Sequence, residues 1–158
     1  MDAAYVDYVE TGINETMDGD KVEAAIAFEH ALIAELDAPP PLFFNRTGQA
    51  RTFPEWEHIP QRSIGLGYKP WRMLVWMGQL GRLSFRRMVP DATLFHATEH
   101  LLLPLRGVPT VLTVHDLIYK LFPEHHKRLN YWYLNAAMPL FVRRADAIIT
   151  ISLSLIHI

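Results

Sequence analysis

The 158-residue chain contains no cysteine, which excludes disulfides, thiolate catalysis and cysteine-based zinc sites. It also lacks any apolar run of the roughly 18–20 residues that a membrane-spanning helix needs. The opening residues, MDAAYVDYVETG, are acidic and have neither the basic segment nor the apolar core of a secretory signal, so a cytoplasmic location is expected. A formal net charge of −2 gives no general attraction for nucleic acid. Internal repeats and low-complexity segments are missing as well. What remains is a globular composition, 50% hydrophobic and 20% charged, long enough for one domain with a real core.

The most informative stretch is VPTVLTVHD, Val108 to Asp116. A β-branched apolar run that stops at two ionisable residues reads as a strand buried on both faces with a functional group at its carboxyl end. Other strands are expected at Ala3–Val9, Leu42–Asn45, Ala92–Ala97 and Ala147–Ser152. Between the first two, Lys21 to Leu36 carries apolar residues at helical spacing, ended by Pro39–Pro41, which gives a right-handed βαβ unit. Thr47 to Tyr68 is punctuated by Gly and Pro and reads as a long loop. A helix is expected over Pro70–Met88, with Arg72, Gln79, Arg82 and Arg86 as its narrow polar stripe. Another is expected from Pro123 through Arg144, kinked near Asn135 because Pro139 interrupts its hydrogen-bond ladder. The fold class is therefore α/β, a Rossmann-like, mostly parallel sheet flanked by helices.

Candidate sites follow from this framework. His115 and Asp116 sit at a strand's carboxyl edge, where open α/β sheets bind ligands; the histidine suits acid/base work or a bond to a sugar hydroxyl or phosphate. The structural alternative is that Asp116 caps a turn and His115 is a satisfied, partly buried ring. His96 and His100, with His115 and Asp116, raise a metal site and hence a metal-dependent hydrolase. A strand end followed by a loop does not give helical spacing, however, and the motif of a zinc-protease helix is missing. His125-His126-Lys127-Arg128 reads as a solvated basic run. Arg72, Arg82, Arg86 and Arg87 beside Trp71 and Trp76 have the elements of an interfacial membrane helix, but the broad apolar arc favours packing against a sheet. Gly12 would let backbone N–H groups approach a phosphate after the first strand.

Four segments taken in order, Phe95-His96-Ala97-Thr98, Val108 to Leu117 (VPTVLTVHDL), Phe122-Pro123-Glu124 and Arg143 to Ser152 (RRADAIITIS), resemble the amino-terminal half of a family 4 glycosyltransferase of the GT-B fold. The resemblance is firm over residues 91–152 and loose before them. It implies two Rossmann-like domains facing a cleft, the first binding mostly the hydroxyl acceptor and the second a nucleotide-sugar donor, with no metal normally required. By that resemblance His115 lies beside the donor sugar near the reacting centre, with Asp116 supporting its loop. Thr98 and His100 line the acceptor side. Gly12 matches the glycine-bearing first loop, although the expected basic residue is not nearby.

Residues 1–152 are thus expected to be an acceptor-side domain incomplete at its carboxyl end, with the donor-binding domain missing and the chain inactive alone. Peripheral contact with the inner face of a membrane is compatible with this. A non-catalytic sugar- or partner-binding module of the same fold is the rival. The last six residues, Leu153 to Ile158 (LSLIHI), match a translation of CTG-TCT-CTT-ATA-CAC-ATC, the end of a common transposase sequencing adapter, and a non-native tail is expected there.

Overall fold

In the computed structural model of the chain, the described residues are 7–11, 42–45, 60–98 and 100–150. Their strands are β1 (Asp7–Thr11), β2 (Leu42–Asn45), β3 (Gln61–Ile64), β4 (Leu94–Ala97), β5 (Thr110–Val114) and β6 (Ala147–Thr150). The helices are α1 (Tyr68–Leu80), the short α2 (Ile118–Leu121) and α3 (Arg128–Arg144), with 3-10 turns at Arg86–Met88 and Pro123–His125. The six strands form one sheet in the order β3-β2-β1-β4-β5-β6, and every neighbouring pair is parallel. This is the Rossmann-like α/β arrangement, a parallel sheet with helices, expected from the sequence.

Right-handed crossovers explain where the helices lie. The chain returns from β3 across the sheet to β4 and then steps outward to β5 and β6, so α1 and α3 fall on one face. They meet there: Arg72 Nη1 of α1 donates to Asn130 Oδ1 of α3 at 2.8 Å. Beneath this contact the core joins Trp71 and Val75 of α1, Phe95 and Leu112 of the sheet, and Leu134, Ala137, Met138 and Phe141 of α3, all buried. The α3 residues recur at helical intervals, which is why that face is the one turned inward. Strand β5 is buried along nearly its whole length, as its uninterrupted apolar run requires.

Several boundaries differ from expectation. β1 covers Asp7–Thr11 and so extends two residues past Val9. β3 replaces part of the expected loop. Its sequence QRSI lacks an apolar pattern because it is an edge strand, where Arg62 pairs with Asp91 at 3.3 Å in solvent. The expected Pro70–Met88 helix stops at Leu80. Arg82 takes a left-handed φ of 51°, its N–H bonds to the Gln79 carbonyl at 3.3 Å, and Leu83 N bonds to the Gly78 carbonyl at 2.9 Å. That pair of bonds is a Schellman motif, with arginine where glycine is usual.

The expected helix from Pro123 is also divided. Pro123 forces Phe122 out of helical geometry and begins only a 3-10 turn, His126 is extended, and α3 starts at Arg128. α3 then continues through Pro139, whose missing N–H deprives the Asn135 carbonyl of its ordinary donor. The supposed polar stripe of α1 is partly interior: Gln79 is buried and its Nε2 donates to the Leu102 carbonyl at 2.9 Å. Trp71 is fully buried and belongs to the core, against an interfacial role. No helix among the described residues is long and apolar enough to cross a membrane. The expected helix Lys21–Leu36, Gly12 and residues 153–158 lie outside the described residues.

Candidate functional site

The strand order reverses between β1 and β4, which run side by side from Asp7↔Leu94 to Glu10↔Ala97. Loops leaving the carboxyl ends of strands on either side of such a reversal diverge and leave a crevice. Thr98 follows β4 and His115-Asp116 follow β5, so all three emerge at this edge.

His115 ties the two strand ends together. Its Nε2 donates to the Thr98 carbonyl at 2.5 Å. Because a carbonyl only accepts, this bond fixes the proton on Nε2 and, in the neutral ring, puts the lone pair on Nδ1. Thr98 itself is buried, so its carbonyl is what it contributes to holding the ring. His100 stands next to this pair, with its ring centroid 6.3 Å from that of His115. Its Nε2 reaches the Asp116 carbonyl at 3.5 Å, a long contact that leaves the ring loosely held.

Asp116 has a structural task. Its Oδ1 accepts from the Ile118 N–H at 3.0 Å, an Asx turn that starts α2. The Asp116 carboxylate thus shapes the loop.

Electrostatics favour the neutral form of His96 and of His100. Burial holds His96 below its ordinary proton affinity, and His115 adds to the effect. Burial also lowers His100; the charge and carbonyl of Asp116 oppose this, while His115 and Arg72 reinforce it. Burial raises Tyr119, on α2, with the negative charge of Asp116 as a second cause.

The four residues suggested for a metal do not form a ligand set. His96 Nε2 is hydrogen-bonded to Thr113 Oγ1 at 2.8 Å inside the sheet. Among the described residues no three His, Asp or Glu side chains are grouped to hold an ion. The basic run at 125–128 is mostly exposed, except that His126 is half-buried, 3.5 Å from the Asn130 amide.

A family model described as Glycosyltransferase Family 4 matches residues 29–156. The chain belongs to that family. Comparison with curated proteins and with solved structures found no match. Membership puts the chemistry in glycosyl transfer, with a sugar donor and an acceptor as substrates in general terms. In this family 4 domain the segments that carried the sequence resemblance have different tasks. Those ending in Thr98 and Asp116 are neighbouring strands whose carboxyl ends lie at the same edge. Asp146, by contrast, secures the opposite end of β5: its Oδ2 accepts from the Thr110 N–H at 2.8 Å and from Thr110 Oγ1 at 3.0 Å.

One residue at the edge was not singled out by sequence as part of the site. Arg72 lies near the amino end of α1, half-buried, with its guanidinium 3.8 Å from the Tyr133 ring centroid and 4.9 Å from that of Tyr68. Tyr133 also donates its hydroxyl to the Arg72 carbonyl at 3.2 Å. The sequence signal was only a helical arginine; its partners Asn130 and Tyr133 lie 58 and 61 positions away.

Proposed function

We propose that the chain is the acceptor-side domain of a glycosyltransferase that moves a sugar from a nucleotide-sugar donor to a hydroxyl acceptor. His115 is the residue at the reacting centre, where an imidazole with a fixed tautomer can hydrogen-bond a donor-sugar hydroxyl or assist proton transfer. Asp116 supports its loop, and Thr98 and His100 form the acceptor side. Gly12 is assigned to substrate binding through its backbone N–H. Residues 1–152 form the domain, and residues 153–158 are a non-native tail. No metal takes part.

The observation that supports this most is the bond from His115 to the Thr98 carbonyl, which joins two strand ends beside the reversal of a family 4 domain. Transfer requires stabilisation of the departing nucleoside diphosphate, which calls for a donor-side domain facing this edge. The test is to recover and express the coding sequence beyond Ser152 and follow sugar incorporation from nucleotide-sugar donors. Transfer by the longer protein, with His115→Ala strongly impaired, is the expected result. Transfer undiminished in His115→Ala would remove His115 from the reacting centre. A metal-free preparation that remains active would dispose of the hydrolase alternative.

A further inference from the structure

We infer that Arg72 forms an anion subsite beside His100 and that the hydroxyl acceptor carries a phosphate group there. The inference rests on the glycosyl-transfer function proposed above and adds a substrate class to it. Its starting point is a half-buried guanidinium whose described contacts are all neutral: the Asn130 amide oxygen at 2.8 Å and the rings of Tyr68 and Tyr133. Among the described residues no carboxylate pairs with it; the ion pairs found there are Arg62 with Asp91 and His125 with Glu124. A buried charge is costly without a partner, and stacking between aromatic rings offsets only part of that.

Position adds the second observation. Arg72 sits near the start of a helix that follows β3, so it stands at the carboxyl edge of the sheet with the crevice. It is near enough to His100 to disfavour that ring's protonation, so its positive potential reaches the acceptor side. Asn130 engages Nη1 and the tyrosines hold the guanidinium plane, which leaves Arg72 oriented rather than mobile. A held, planar fork of N–H donors fits phosphate oxygens bidentately. A neutral sugar hydroxyl would not repay the desolvation of a full charge.

The test uses the 158-residue chain with histidine ring carbons labelled, titrated with inorganic phosphate, glycerol 3-phosphate and uridine diphosphate at constant ionic strength. Vesicles of phosphatidylcholine with and without phosphatidic acid form a second arm. The expected result is saturable binding of glycerol 3-phosphate or of the phosphatidic acid vesicles, with the His100 titration moving upward as an anion settles beside it. Arg72→Gln, checked for native near-UV circular dichroism, should lose about tenfold or more in affinity. Arg72→Lys should bind more weakly than wild type yet still saturate. If Arg72→Gln fails to fold, the Arg72→Lys affinity and the wild-type His100 shift decide the matter.

Glycerol 3-phosphate binding points to a soluble phosphorylated acceptor, and vesicle binding alone points to a lipid-borne one. Equal binding by wild type and folded Arg72→Gln, no saturation with any probe, or preference for uridine diphosphate would overturn the inference. None of these measurements depends on transfer, so their failure leaves the glycosyl-transfer proposal intact. Failure of transfer in the longer protein would not alter the binding result.

Discussion

His96 and His100 are each held below their ordinary proton affinity, chiefly by burial. The unfolded chain, where histidine titrates near about 6.5, therefore binds more protons than the folded one just below that pH. Stability is full above about pH 6.5 and falls as the pH drops from there toward the lowered folded values. Urea unfolding midpoints measured from pH 7.5 to 5 should decline, and His96→Gln should flatten the slope. A pH-independent midpoint over this window would contradict the burial of both rings. Individual residues were legible in the sequence when strand position decided their environment. His115 and Asp116 were marked because an apolar run ended at them. What each does was not: the choice between capping and chemistry depends on the Ile118 N–H and the Thr98 carbonyl, which no spacing reveals.

Two elements end in ways that lend themselves to measurement. Arg82 occupies the left-handed position of the Schellman motif that closes α1. A side chain with a Cβ costs about 1–2 kcal/mol there, against about 0.5–1 kcal/mol of extra chain entropy for glycine. Arg82→Gly should therefore stabilise the fold by about 0.5–1 kcal/mol in urea unfolding. A destabilised variant would show that the Arg82 side chain matters more than its backbone. At the amino end of β5, Asp146→Ala removes two bonds to Thr110 and should cost about 1–2 kcal/mol in urea unfolding.

Elements with strong local patterns were readable. Leu42–Asn45 was expected at its observed limits, and the strands at 110–114 and 147–150 lay within their expected spans. β3 was hidden because an exposed edge strand needs no apolar alternation. The helix ends were misplaced because Gly81 precedes the left-handed residue rather than occupying it, and because His126 is extended without a proline to announce it.

At the scale of the molecule, the proposed site rests on the reversal of strand order between β1 and β4. A list of strands with a right-handed crossover predicts a parallel sheet but not which strands are neighbours, so the crevice could be expected only in general form. Arg72 shows the same limit, since α1 and α3 are brought together only once the sheet order places both on one face. That order also separates two ends of β5, with His115 at the carboxyl end and Asp146 latching the amino end.

The most direct measurement compares His115→Ala and Asp146→Ala in the longer protein, as turnover per folded molecule with a nucleotide-sugar donor. Loss of the His115 imidazole should lower kcat by about a hundredfold or more with little change in unfolding midpoint. Loss of the Asp146 carboxylate should lower the midpoint and leave turnover per folded molecule near wild type. Equal turnover in the two variants, or full turnover without His115, would contradict a reacting centre at the carboxyl edge.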